Sequence, residues 1–466
     1  MSRSHRRTFL GRTASALLAM RLVRAQDAAL SAQTSKGNQP SPQRPRVVLN
    51  VREFGAAGNG AARDTSAIQQ ALDRCGVLGG GEVTIPSGNY LTGALALRSG
   101  TTLRLEEGTT LSGTPDFTDY PVTQVRWEGK WIRGHAGLLH AIDARRIAVV
   151  GPGRIVGHPA LGGRPTAQNP LRHPALIEPI GCDDVRLEGF SAEYRLMWCI
   201  HPSNCENVAI RNLVVRTTGG NGDGIDIDSC RHVRIEGCDI SSGDDCIAIK
   251  SGRGSEAFAL MRTTEDVHIV DCTLADSNFA CIGIGSETSG GIRNVRIERC
   301  RFVGAQTFAV YVKTRVGRGA FIEDISATGL DVSGVVGGFL RINALTSGLQ
   351  DEVPVAGDEG IPALRNFRFS EVRLVDCPVL VDATAIHPGK PLDGFTLTNV
   401  TGTCKKGMSL ANIRKATIRG IAVTGIEGPL ISTYNVTGSG LGNAATLPAP
   451  RLPDPVVDSQ VPYRLR

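Results

Sequence analysis

Three aspartates have the residue type and spacing for acid–base chemistry: Asp223 in the string NGDGID, and Asp244 and Asp245 in SGDDCIAIK. The short segments WCIHPS, DGIDID, DCIAIK, ACIGIG and FAVYVK align on their apolar alternation, which places Ile200, Ile225, Ile247, Ile282 and Val310 on one inward ladder. On that register Asp223 and Asp245 are equivalent positions of neighbouring turns, about 5 Å apart at the backbone, with Asp244 adjacent. Carboxylates crowded in this way repel one another, so one should hold a proton near neutral pH while another stays ionised. Hydrolysis of a glycosidic bond needs that division: a proton donor for the leaving oxygen and a carboxylate that activates water or attacks. Aspartate also caps strand ends and turns, so spacing alone leaves a structural role open.

The same register assembles a face around the aspartates. Trp198, Asp223, Asp245, Ala280 and Phe308 share one row, and Pro202, Asp228, Lys250, Gly285 and Lys313 share another once a slip is allowed at Pro202. Between them runs an outward row of His201, Asp226, Ala248, Gly283 and Tyr311. Trp198 and His201 are expected to line a cleft one turn before Asp223, with a packing role as the alternative for Trp198. Lys250 has Asp228 as its expected neighbour, in a surface pair of little worth to stability. Glu287, in a Ser-Glu-Thr-Ser-Gly-Gly loop, is expected to serve a turn.

The elements that must hold this face are legible as a repeat. GCDDVRLEG, NCENVAIRN, SCRHVRIEG, TTEDVHIVD and IRNVRIERC resemble one another, with weaker copies IEDISATG, LRNFRFSE and LDGFTLTN. Their apolar markers are Val185, Val208, Val233, Val267, Val295, Ile325, Phe367 and Phe395, at irregular intervals of 23 to 42 residues. β-Branched alternation at such a period predicts a parallel β-helix whose coils grow loops on one side. Cys182, Cys205 and Cys230 fall three residues before their markers, and Cys238, Cys272 and Cys300 five after theirs. Two ladders of small buried thiols are expected, because a ladder of three cannot pair completely. No pair has C-x-x-C spacing and the histidines lack ligand spacing, so neither a metal nor another cofactor is expected. Residues 64–75 place Ile68, Ala71, Leu72 and Cys75 on one helical face, with Asp64 or Thr65 as N-cap, and predict a helix that plugs the open end of the stack.

Composition sets the outer limits. Glycine at 56 of 466 residues with 5% aromatics argues for many strands and tight turns, and 41% apolar content excludes a disordered chain. The net charge of +6 is carried entirely by Arg3, Arg6, Arg7, Arg12, Arg21 and Arg24, in a stretch without an acid. The rest of the chain is balanced in charge, so neither nucleic-acid binding nor membrane insertion is expected. The string SHRRTFLGR before an apolar stretch resembles a twin-arginine export signal. Residues 1–26 are therefore expected to direct export to the periplasm or beyond, residues 27–46 to form a linker, and residues 47–466 to form one domain.

NGDGID, SGDDCIAIKSG, IGSETSGGIRNV and YVKTRVGRG, with WCIHPSNCENV before them and FGAAGNGAARDTSAIQQAL at the start, together resemble glycoside hydrolase family 28. This is the polygalacturonase and rhamnogalacturonan hydrolase family, and the likeness runs from about residue 47 to about residue 440. The resemblance implies an all-β, single-stranded right-handed parallel β-helix. It further implies that Asp244 is the general acid, that Asp223 and Asp245 position and deprotonate the attacking water, and that the anomeric carbon is inverted. Lys313 matches the lysine of the family's R-I-K motif, which binds a substrate carboxylate or hydroxyl. Asn221, His201, Lys250, Tyr311 and Lys313 complete the expected substrate-binding set.

Two positions depart from the family. Phe279, Ala280 and Cys281 replace its G-H-G, and Tyr311 replaces the arginine of R-I-K. A phenol is not interchangeable with a guanidinium as a uronate partner, and Tyr311 is expected to offer a stacking face suited to a less charged sugar such as rhamnose. The expectation is a monomeric, inverting hydrolase of an α-linked pectic polysaccharide or oligosaccharide. Its rivals are a polysaccharide lyase and a catalytically inactive carbohydrate-binding β-helix.

Overall fold

Apolar residues at alternate positions of short segments, punctuated by Asn, Asp and Gly, wind the chain into stacked coils with three parallel ladders. The computed structural model describes residues 47–454. The export signal and linker expected over residues 1–46 lie outside the described residues, as does the end of the domain expected to run to residue 466. Crossovers between parallel strands of one sheet are right-handed as a rule, and the fold is a right-handed parallel β-helix. No helix among the described residues is long and apolar enough to cross a membrane.

The first ladder carries the repeat markers in the expected register. Val185, Val208, Val233, Val267, Val295, Ile325, Phe367 and Phe395 pair successively from coil to coil, and all are buried. The residue before most of these markers has a left-handed backbone: Asp184, Asn207, Asp266, Asn294, Asp324 and Asn366 all have φ between 53° and 59°. Asn and Asp tolerate that conformation best among residues with a Cβ, which explains the D/N-V/I/F pattern of the repeat. All twelve cysteines are free and buried. Those of the Cys182–Cys205–Cys230 ladder act as corner residues, the Cys205 thiol donating to the Ser203 carbonyl and the Cys230 thiol to that of Asp228, each at 3.3 Å.

Helix Thr65–Val77 closes the N-terminal end, burying Ala67, Ile68, Ala71, Leu72 and Cys75 against the first coils. Asp64 is its N-cap residue, but the carboxylate turns away from the helix to accept the Ala57 and Gly58 N–H groups at 2.6 and 3.1 Å.

The third ladder positions the site through strands Ile177–Ile180, Ile225–Asp228, Ile247–Lys250, Ile282–Gly285, Phe308–Lys313 and Gly338–Asn343. Ile200, Ile225, Ile247, Ile282 and Val310 pair as the alternation predicts. The slip at Pro202 does not occur. Ser203, not Pro202, pairs with Asp228, and Pro202 takes part through its carbonyl, which accepts the Asp228 N–H at 3.1 Å. Three insertions rise beside this ladder: the antiparallel hairpin Val122–Trp127/Lys130–His135, the helix Gly254–Leu260 and the loop 344–361. Lys130 of the hairpin joins Asp351 and Glu352 of the loop at 2.8 and 3.0 Å.

Candidate active site

Asp223 and Asp245 end the turns that lead into neighbouring strands of the third ladder. The Gly224 N–H donates to the Asp245 carbonyl at 3.0 Å, which fixes the two aspartates one above the other. Asp244 is held in its turn by the Gly222 carbonyl, which accepts its N–H at 3.2 Å, and by the Ser242 and Ser277 hydroxyls, both 2.7 Å from its own carbonyl. Gly283, on the next coil, leaves the space for the Asp245 carboxylate. A Cβ there would lie 2.3 Å from Asp245 Oδ2, closer than atoms can approach.

One oxygen from each of Asp223, Asp244 and Asp245 lies within 4.8 Å of the others. Two buried lysines balance them. Lys313 Nζ is 2.5 Å from Asp245 Oδ2, while Lys250 Nζ is 2.5 Å from Asp226 Oδ1 and 3.3 Å from Asp223 Oδ2. The Ala280 N–H donates to Asp245 Oδ1 at 3.2 Å, and the Asn221 N–H to Asp244 Oδ2 at 3.3 Å. Carboxylates this close could also chelate a cation, but two ammonium groups already occupy the positions of countercharge and would repel one.

Burial pushes Asp244 up to about 7, reinforced by the charges of Asp223 and Asp245. Burial also raises Asp245, against the opposing pull of Lys313, and raises Asp226 well above the usual range with help from Asp223. Asp244 therefore carries a proton near neutrality, whereas Asp223 and Asp245 each face an ammonium group. An acid and two lysine-held carboxylates within one small volume can protonate a leaving oxygen and take a proton from water.

The cleft above these groups has a cavity volume of about 180 Å³ and is lined by Asn221, Asp223, Asp244, Asp245, Lys250 and Lys313 together with Trp198 and Glu287. Its walls include Glu128, Arg164 and Arg253, which come from insertions with no ladder period and which the sequence did not single out. Glu287 was expected in a turn; its loop directly follows strand Ile282–Gly285, and that adjacency was the available signal.

Three expectations are corrected. His201 does not line the cleft: it is buried, with Nδ1 at 3.1 Å from Glu178 and Nε2 at 3.1 Å from Ser203 Oγ, and burial depresses the basicity of its ring. Lys250 does not pair with Asp228, because Arg126 of the hairpin takes that carboxylate with two bonds of 3.0 and 3.2 Å. Tyr311 offers no free stacking face. It is 7% exposed, with its ring 5.7 Å from that of Phe279 and nearly parallel at 11°. Phe279, the first residue of the departed G-H-G, supplies the ring that covers it.

A parallel β-helix bearing such a carboxylate trio above one ladder is a carbohydrate-cleaving solenoid. The chain belongs to the glycosyl hydrolases family 28, whose model matches residues 75–339, and is a glycosidase of the polygalacturonase type. It is 27% identical over 362 residues to a probable polygalacturonase of Vitis vinifera, covering 75% of this chain and 73% of that one. It is 28% identical over 310 residues to the exo-poly-alpha-D-galacturonosidase of Dickeya chrysanthemi, covering 54% of this chain and 49% of that one. The structure of a hyperthermoactive exopolygalacturonase from Thermotoga maritima superposes with a TM-score of 0.67 at 24% identity, over 82% of this chain and 93% of that one, a likeness of fold.

Proposed function

We propose that the protein is an exported, monomeric, inverting hydrolase that removes sugars from the end of an α-linked pectic chain containing galacturonate or rhamnose. The observation that carries this reading is Asp244, a carboxylic acid raised to about 7, facing two carboxylates that buried lysines hold. Asp244 protonates the glycosidic oxygen. Asp223 and Asp245 together hold a water molecule, and one of them accepts its proton as the oxygen attacks the anomeric carbon from the opposite face. All of these groups come from one chain, so a monomer is complete.

Action at a chain end is supported by the shape of the cleft. One coil before Asp223 the equivalent position is Trp198, which is buried beneath Trp127 of the hairpin with ring centroids 4.8 Å apart. Glu128 then bridges Arg164 at 2.7 Å and Arg253 at 3.3 Å across that end. A groove stopped one coil from the reacting carboxylates admits a terminus and excludes a continuous chain. The names of the Dickeya and Thermotoga relatives agree with it. Export rests on the six arginines and absent acids of residues 1–26.

The test is incubation with polygalacturonate and with rhamnogalacturonan without added metal, following new reducing ends, product length and the ultraviolet absorbance of unsaturated uronate. Reducing ends without absorbance, released as short products and lost in Asp244→Asn, are expected. Absorbance would make the protein a lyase. Silence on both substrates would make it a binding protein, or an enzyme acting outside pectin.

A further inference from the structure

Among the described residues, every other carboxylate in the cleft is held by a cation or a backbone N–H, and Glu287 is held by neither. Asp223 meets Lys250, Asp245 meets Lys313, Asp244 meets the Asn221 N–H and Glu128 meets two arginines. Glu287 is 6% exposed and lines the cleft, yet its side chain's only hydrogen bond among the described residues is a 3.5 Å contact from the neighbouring Ser286 hydroxyl. Burial alone would raise it, but the surrounding charges of Lys250, Arg253, Arg318 and Lys313 outweigh burial and keep it ionised. None of these cations touches it. Lys250 and Lys313 contact Asp226 and Asp245 at 2.5 Å, and Arg253 and Arg318 contact Asp351 at 3.4 and 3.8 Å.

An ionised carboxylate whose free oxygen opens into the cleft offers its acceptor positions to water or to a ligand seated there. The ligand cannot present another carboxylate there, because like charges repel at that range. It must present donors, and a carboxylate accepts two hydroxyls of a sugar side by side in short, charge-assisted bonds. We infer that Glu287 is a specificity-determining residue that accepts hydrogen bonds from hydroxyls of the sugar seated over Asp245 and Lys313. The uronate carboxylate of that sugar is consequently turned away from the Glu287 side of the cleft. This inference rests on the pectic reading above.

The test measures inhibition of the purified enzyme by D-galacturonate and by its 2-, 3- and 4-deoxy forms, in wild type, Glu287→Gln and Glu287→Ala. In wild type at least one deoxy form should inhibit about tenfold more weakly than galacturonate, the cost of a lost charge-assisted bond. In Glu287→Ala that ratio should collapse towards one, and Glu287→Gln, which keeps an acceptor oxygen and the side-chain shape, should retain part of it. Thermal unfolding of each variant separates a folding failure from a lost contact, and the isosteric Gln variant alone decides if the Ala variant does not fold. Ratios that stay unchanged in the variants, or equal inhibition by all forms in wild type, would overturn the inference while leaving hydrolysis intact. A wild type that cleaves neither polygalacturonate nor rhamnogalacturonan would overturn the pectic reading, and the inference with it.

Discussion

Lys313 reaches back across an intervening coil to place its ammonium 2.5 Å from the carboxylate of Asp245, 68 residues earlier in the chain. The coil between them carries Gly283, whose missing side chain leaves the path open. A lysine expected to touch only substrate is thus also the counter-ion of a buried carboxylate.

Replacing it tests that double role. Without the ammonium, Asp245 keeps its burial and loses its main opposing charge, so it should ionise at higher pH. Lys313→Met should lower kcat about 100-fold, within the range of general acid–base effects, and move the acidic limb of the kcat/KM profile upward. A profile of unchanged shape would reduce Lys313 to a substrate contact.

The basic limb belongs to Asp244. At about 7 it stays protonated far above the range of an ordinary aspartate, so kcat/KM should fall only as pH rises through about 7. The same shift has a sign in stability. A group raised in the folded state contributes most below its unfolded value, near 4, and that contribution is lost as pH rises through about 7. Asp244→Asn should therefore melt on the order of 1–3 °C higher than wild type at pH 8 and show no such gain at pH 4, by calorimetry. Loss of activity already above pH 5 would contradict the assignment.

Stereochemistry is a sharper question here than in most glycosidases. Inverting enzymes usually separate their carboxyl groups by about 6.5–9.5 Å to admit water, and retaining enzymes by about 5–5.5 Å. Here oxygens of all three aspartates lie within 4.8 Å. The third carboxylate changes what the spacing means, because Asp223 and Asp245 can share one water beside Asp244 and neither need bond the sugar. Proton NMR of the first product released should show the β-anomer from an α-linkage. The α-anomer would mean a covalent intermediate on Asp223 or Asp245.

Alternation made the ladder legible. β-Branched residues at a constant phase identify their partners regardless of the insertions between coils, which is why Val185 to Phe395 paired as expected, and the aspartates were found because they ride on that frame. His201 was misplaced for the opposite reason. Its outward row was correct, but its ring lies against Trp198 and is bound to Glu178 and Ser203, and Glu178 is held by Arg172, which also donates to the Arg126 and His135 carbonyls of the hairpin that starts at residue 122. Contacts of that kind have no period, and Arg126, Glu128 and Arg164 were equally hidden.

The two departures from the family pattern are in contact, since Phe279 stacks on Tyr311 while Lys313 Nζ lies 4.3 Å from the Phe279 ring centroid. Arg341, register-paired with Tyr311 on the next coil, sits 5.4 Å from the tyrosine ring. A single Tyr311→Arg would push a guanidinium between Phe279 and Arg341, desolvating it beside like charge. That variant should lose stability, by roughly 1–3 kcal/mol as for other misfitted buried groups, and gain nothing on polygalacturonate. The paired change Phe279→Gly with Tyr311→Arg removes the covering ring and opens the cleft to the new cation. It should raise turnover of polygalacturonate relative to rhamnogalacturonan several-fold over the single variant, by reducing-end assay. Equal ratios in the two variants would show that the aromatic pair has no part in choosing the sugar.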